Sequence, residues 1–298
     1  MPANPAEQLS DALVTAVETA AQSTVLVSAR RRFPASGVAW TSEGLVVTAN
    51  HVVERDDEIG ILLPDGTETS AAVVGRDPRS DIALLKVEDA KLTPAERVSG
   101  DDVKVGQLAI AVARPTHGTP QASHGVVSAF VSRRRRRVRN AAPFIRPDLT
   151  MYPGFSGGPL VNASGLVIGV NSSHLGRGEG LTVPAATVDR IVTALSTDGR
   201  IRRAYLGIAS QPARLAEEIG GSDAVLLVVM VDPDSPAAAA GVLVGDSITS
   251  VDGERLRSAD DLQFALAGVE VGFDVSLGII RGGDGVNLSV TAGERPQS

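Results

Sequence analysis

Ser156 lies in the stretch YPGFSGGPLVN, residues 152 to 162, with Pro153 and Gly154 before it and Gly157, Gly158 and Pro159 after it. A serine hydroxyl is a weak nucleophile at its free pKa. It needs a neighbouring base to take its proton, and the base needs a third group to orient it. The oxyanion that the attack creates needs donors already aimed at it. Glycine suits that task, because Gly154 can take a positive φ and turn its N–H inward beside that of Ser156. Taken alone, Ser-Gly-Gly reads as a tight serine-capped turn. Two other stretches change the balance. VVTANHVVE puts His51 directly after an apolar strand, and RSDIALLKV puts Asp81 directly before another. Strand ends are rigid places to hold a catalytic group. His, Asp and Ser in that chain order form one of the known orders of a catalytic triad. Singly, His51 reads as a capping or core residue and Asp81 as a turn former. The remaining histidines, His117, His124 and His174, have no comparable setting.

The elements that would position these residues are short. From Thr24 to about Val192, runs such as STVLVSA, GLVVTA, IGILL, SAAVVG, DIALLKV, QLAIAV, HGVVSAFV, LVNASGLVIGV and GLTVP alternate with PDG and ASG turns. This pattern predicts all-β sheets closed as barrels or a sandwich. AATVDRIVTALSTDG then reads as a helix with Val188, Ile191, Val192 and Leu195 on one stripe and Gly199 as its C-cap. Past the charged RIRRA the pattern becomes a compact mix of strands and two helices, so the domain boundary is placed near Arg200, giving residues 1–199 and 200–298. The first residues predict a short helix with Leu9, Leu13, Val14 and Val17 on one face and Glu7, Asp11 and Glu18 elsewhere.

Composition sets limits on function. The 298 residues suggest about two domains. The absence of cysteine excludes disulfides, thiolate metal sites and a Cys nucleophile, and the net charge of −7 disfavours a nucleic-acid partner. No apolar run approaches the roughly 20 residues of a membrane span. The first residues lack the pattern of a signal peptide, which favours the cytoplasm, or the periplasm for a processed chain. Neither a metal nor any other cofactor is implied.

With TANHVV, VVGRDPRSDIALLKV, HGVVSA and PGFSGGPLVNASGLVIGVN in this order, and YLGI with DPDSPAAAAGVLVGDSITSVDG after them, the sequence resembles the HtrA (DegP/DegQ-like) family: trypsin-like serine proteases with a C-terminal PDZ domain. The likeness runs from about residue 20 to 293. It implies a mainly β double barrel followed by a small α+β PDZ domain, and an endopeptidase of protein quality control that cleaves unfolded or damaged proteins through an acyl-enzyme. Residue by residue, His51 would be the base, Asp81 its orienting carboxylate and Ser156 the nucleophile. The N–H groups of Gly154 and Ser156 would form the oxyanion hole. Thr150 and Met151 would lie at the base of the primary specificity pocket and Ser172, Ser173 and His174 along its wall, and the neutral Thr150 suggests an uncharged substrate side chain. Tyr205, Leu206, Gly207 and Ile208 would form the loop that binds a peptide carboxylate, with Leu262 and Leu266 on one wall of an apolar groove. Successive N–H groups in such a loop form an anion nest, and the strand that follows can pair with a peptide. A homotrimer is the assembly that the resemblance implies.

Three features depart from the family. Phe155 stands where the family has a polar Asn, and it is expected to hold the loop by burial in the β-core. Otherwise the site is loose, and the chain an inactive peptide-binding adaptor or chaperone. Arg133 to Arg137 form an unbroken basic run, read as a solvated face, with docking on the acidic PDZ side chains Glu217, Glu218, Asp232 and Asp234, or binding to nucleic acid or a membrane surface, as alternatives. The N-terminal segment has only aliphatic residues before Phe33, where family members often trimerise through aromatics.

Overall fold

The computed structural model describes residues 4–294, apart from 32, 89–90, 99–101, 117–118, 132–142, 220–221 and 268. The Arg133 to Arg137 run and His117 lie outside the described residues, as do the side chains of Glu217 and Glu218. The chain divides into two compact units, one reaching Ile201 and the other starting at Arg202 apart from a short segment outside the described residues.

The first unit begins with helix α1 (Pro5–Ala21) and continues as two closed six-stranded barrels. In the first, β1 (Thr24–Ser28), β2 (Ala35–Ala39), β3 (Leu45–Ala49), β4 (Ile59–Leu62), β5 (Glu68–Asp77) and β6 (Ile82–Val87) close in the order β1-β2-β3-β6-β5-β4. In the second, β7 (Leu108–Ala113), β8 (Gln121–Val131), β9 (Phe144–Asp148), β10 (Pro159–Val161), β11 (Val167–Ser172) and β12 (Leu181–Pro184) close in the order β10-β11-β12-β9-β8-β7. Helix α2 (Ala185–Asp198) follows.

The unbroken apolar runs have a simple cause: both faces of these strands are buried. Along β6, Ile82 and Leu84 join a core shared by both barrels and both helices, while Ala83, Leu85 and Val87 point into the first barrel. Strands β2 and β9 escape the sequence pattern. ASGVA is fully buried but made of small residues, and a Cβ on Gly37 would lie 2.8 Å from Val46 Cγ1. FIRPD carries an arginine and a proline.

Helix α2 has the predicted buried stripe, and Gly199 ends it at φ 66° with its N–H on the Leu195 carbonyl at 2.9 Å. Trp40 donates its indole N–H to Asp189 at 2.9 Å and so ties the end of β2 to this helix. Helix α1 is turned differently from expectation. Its buried residues are Ala16, Ala20 and Ala21, with Leu13 and Val17 partly covered, whereas Leu9 and Val14 are 51% and 53% exposed. The reason is close approach: a Cβ on Gly165 would sit 2.8 Å from Thr19 Cβ and 3.1 Å from the Ala16 carbonyl, so the face against the barrel needs small residues rather than large apolar ones.

The second unit contains β13 (Ala204–Tyr205), β14 (Ile208–Ile219), β15 (Ser222–Val231), helix α3 (Pro236–Ala239), β16 (Ser247–Val251), β17 (Glu254–Arg255), helix α4 (Ala259–Ala267), β18 (Asp274–Arg281), β19 (Asp284–Thr291) and β20 (Gly293–Glu294). One sheet runs β14-β15-β16-β18-β19 with β17 on β16, and β13 pairs with β20. Asp246, 2% exposed, is held by a bidentate pair with Arg281 at 2.8 Å. Among the described residues no helix is long and apolar enough to cross a membrane.

The turn of α1 can be tested by urea denaturation. Ala20→Asp, which buries an unpaired charge, should cost about 3 kcal/mol or more. Leu9→Asp should stay within about 0.5 kcal/mol of the parent. Equal effects would contradict the helix face described here.

Candidate active site

His51 sits on a single 3-10 turn, Asn50–Val52, that continues β3, and Asp81 immediately precedes β6, the neighbour of β3 in the sheet. The Asn50 N–H bonds to the Asp81 carbonyl at 2.9 Å, fixing the two segments to each other. Asp81 has φ 58°, a left-handed conformation that Asp tolerates better than most residues. Arg76 secures the segment that carries His51 from the other side, donating to Asn50 Oδ1 at 3.2 Å and to the Val53 carbonyl at 2.8 Å.

The Asp81 carboxylate is 2% exposed. Its Oδ1 accepts the His51 backbone N–H at 2.9 Å, and its Oδ2 faces His51 Nδ1 at 2.6 Å. Ser172 donates its hydroxyl to the same Oδ2. Burial alone would raise the Asp81 pKa, but the hydrogen bonds from His51 and Ser172 and the proximity of the imidazole outweigh it and hold the group below the usual carboxylate range. An ionised carboxylate has no proton to give, so the shared proton is on His51 Nδ1 and the basic nitrogen is Nε2.

Ser172 therefore stands behind Asp81. Its side chain is buried, and its oxygen also accepts the N–H groups of His174 at 3.2 Å and Leu175 at 3.3 Å. Ser173 and His174 are exposed and lie against the other two members of the set. The Ser156 hydroxyl bonds to the Ser173 hydroxyl at 2.8 Å and accepts the Ser173 N–H at 3.1 Å. The His174 ring stacks on His51 at 5.3 Å between centroids. Among the described residues no hydrogen bond joins Ser156 to His51, so the hydroxyl must swing toward the ring to give up its proton. Catalytic hydrogen bonds of this kind commonly tighten only when substrate binds.

The loop around Ser156 is shaped by glycine and held by phenylalanine. Gly154 has φ 89° and a Cβ there would lie 2.3 Å from Pro115 Cβ; Gly157 has φ 84° and a Cβ there would lie 2.1 Å from the Ser36 carbonyl. The Phe155 N–H bonds to the Tyr152 carbonyl at 3.1 Å, and the Gly158 N–H to the Phe155 carbonyl at 3.1 Å. Among the described residues neither the Gly154 nor the Ser156 N–H has an acceptor within the protein. Phe155 is fully buried in the second barrel with Ala109, Ala111 and Ala113 of β7 and with Val127, Ile145, Leu160 and Ile168. The three alanines leave the room that its ring fills. Tyr152 meets that ring edge-on at 5.6 Å. Before the loop, Thr150 is exposed and Met151 is half-buried against the same core.

In the second unit, Gly207 has φ 81° and a Cβ there would lie 2.0 Å from Ser235 Cβ. The Leu206 carbonyl accepts the Ala237 N–H and the Gly207 carbonyl the Asp232 N–H, both at 2.8 Å, while Tyr205 donates its hydroxyl to Asp232. Among the described residues the N–H groups of Leu206 and Gly207 have no acceptor. Ile208 opens β14, which ends its sheet and lies beside α4. Leu206 and Leu262 belong to the buried core of the unit, and Ile208 and Leu266 are half-covered at its margin.

Two closed barrels that join a His–Asp pair to a glycine-bound serine define a trypsin-like peptidase fold, and the family model for a trypsin-like peptidase domain matches residues 35–170. A PDZ domain model matches residues 204–292. A probable periplasmic serine endoprotease, DegP-like, of Halomonas elongata is 36% identical over 91% of the chain and 58% of that relative, and one of Pseudomonas putida is 37% identical over 88% and 56%. The chain thus spans little more than half the length of these curated relatives. Among solved structures, the serine endoprotease of Yersinia pestis aligns with a TM-score of 0.75 at 28% identity, covering 95% of this chain and 98% of that one. A variant of the HtrA-type protease AlgW with a tripeptide aligns with a TM-score of 0.74 at 30% identity, covering 95% and 97%. The chain belongs to the HtrA-type, DegP-like family of serine proteases.

Phe155 provides the test of the loop. Phe155→Ala should lose about 3–5 kcal/mol of stability. Its initial rate, measured where it is still folded, should fall by about a hundredfold as an oxyanion donor loses its alignment. Phe155→Asn should be less stable than the parent but more active than Phe155→Ala. An Asn variant well above the parent would mean that Phe155 holds the loop in an unproductive form.

Proposed function

We propose that this chain is a serine endopeptidase in which His51, Asp81 and Ser156 act as one unit. The observation that carries this reading is the buried carboxylate of Asp81 bonded to His51 Nδ1. That bond leaves Nε2 as the base for a serine whose loop offers two unpaired N–H groups. Ser156 Oγ attacks the peptide carbonyl as its proton passes to His51 Nε2. The N–H groups of Gly154 and Ser156 receive the oxyanion. His51 then protonates the leaving amine, and a water molecule activated by the same nitrogen releases the acyl group. The burial of Phe155 supports an active site, not the inactive-adaptor alternative. Thr150 and Met151, with Ser173 and His174, are proposed to flank the substrate side chain.

The same reading divides the chain into a protease domain, 1–199, and a peptide-binding PDZ domain, 200–298. The division between units at Ile201 supports it. The unpaired N–H groups of Leu206 and Gly207, beside the free edge of β14, support capture of a peptide C-terminus, with Ile208 and Leu266 at the margin of the groove. Substrates are taken to be unfolded or damaged proteins. The names of the periplasmic relatives favour an extracytoplasmic setting over the cytoplasm that the first residues suggested. Exposed Leu9 and Val14 on α1 support assembly into a homo-oligomer.

Casein digestion tests the catalytic reading. Ser156→Ala and His51→Ala should each reduce turnover by about ten-thousandfold or more, to similar residual rates. A His51→Ala variant with most of its activity would show that another group is the base. For the PDZ reading, the full chain carrying Ser156→Ala should bind a peptide with a free carboxylate and an apolar last residue, and lose most of that affinity when the peptide is amidated. Equal affinities would remove the carboxylate loop.

A further inference from the structure

Ser36, on β2 of the first barrel, touches the nucleophile loop of the second barrel twice. Its N–H donates to the Ser156 carbonyl at 3.2 Å, and its hydroxyl donates to the Gly154 carbonyl at 2.8 Å. The same hydroxyl oxygen accepts the Arg114 backbone N–H at 2.9 Å. That second bond settles the direction of the first: Ser36 Oγ is the acceptor toward Arg114, so its own proton is committed to Gly154. The Ser36 carbonyl in turn accepts the Thr48 hydroxyl at 2.7 Å, and the whole residue is 0% exposed.

The two carbonyls that Ser36 holds belong to the same two residues whose N–H groups would receive the oxyanion. Gly154, at φ 89° and without a side chain, has no Cβ to restrict its turning. We propose that Ser36 is a positioning residue for the oxyanion loop: by holding the Gly154 and Ser156 carbonyls it keeps the N–H groups of Gly154 and Ser156 aimed at one point. Its orientation depends on Arg114, whose buried guanidinium is anchored on the Thr24 carbonyl at 3.0 Å and the Ala21 carbonyl at 3.4 Å. The end of α1 and the start of β1 are thereby linked to the loop through Arg114 and Ser36.

This inference rests on Ser156 being the nucleophile, which labelling of the parent by a fluorophosphonate checks separately. The test of Ser36 compares the parent with Ser36→Ala. It reads kcat and KM on a chromogenic peptide, the affinity for a peptidyl aldehyde, whose adduct places an oxyanion in the hole, and the affinity for the matching alcohol, which does not. Ser36→Ala should lower kcat by about tenfold to a hundredfold, approaching the loss of one oxyanion donor. KM should change by less than about threefold. Aldehyde affinity should fall with kcat, and alcohol affinity should hold. A folded Ser36→Ala with parental kcat and aldehyde affinity, and only a lower melting temperature, would reduce Ser36 to a structural residue and overturn the proposal. Should Ser36→Ala not fold, Ser36→Cys, a weaker donor of similar size, is read in the same assays. An intermediate loss of kcat and aldehyde affinity supports the proposal, and parental values overturn it. A parent that the fluorophosphonate does not label would remove the nucleophile assignment instead.

Discussion

The buried carboxylate of Asp81 is the constraint on which the rest of the structure depends. An ion with almost no access to water must find its hydrogen bonds inside the protein, and the cost of failing is several kcal/mol. Its donors come from both barrels: the backbone and ring of His51 after β3 in the first, and the hydroxyl of Ser172 at the end of β11 in the second. The carboxylate is satisfied only when the barrels are assembled. The base is then oriented by the same contacts that stabilise the ion, so folding and preparation of His51 are one event.

The nucleophile is held by a different force. The loop is anchored at position 155 by burial of a phenyl ring, with the alanines of β7 as the complementary surface. Full burial of such a ring is worth about 1.5–3 kcal/mol, the scale of the hydrogen bonds that a polar residue would make. Burial has no direction, however. It anchors the loop without orienting its peptide groups, and orientation falls to the positive φ of Gly154 and Gly157, to the backbone bonds on either side, and to Ser36 from the neighbouring barrel.

The sequence made His51, Asp81 and Ser156 legible because each sits in a local pattern: a strand end, a strand start and a glycine-rich turn. The barrels were legible from the apolar runs. Residues that act at long range were not. Ser36 meets Gly154 across 118 positions and Ser172 meets Asp81 across 91, and neither contact leaves a local trace. Ser36 was further hidden because its strand, ASGVA, has no large apolar residue to mark it. Helix α1 shows the converse error. Its large side chains gave a clear period, but the barrel approaches too closely for them and selects the alanine face.

Asp81, ionised and buried, fixes His51 with its proton on Nδ1 and its lone pair on Nε2. Nitrogen-15 NMR of the His51 ring reads this directly. In the neutral ring Nδ1 should be protonated and bear a strongly deshielded proton, Nε2 should be unprotonated, and that signal should be lost in Asp81→Asn. A neutral His51 carrying its proton on Nε2 in the parent would contradict it.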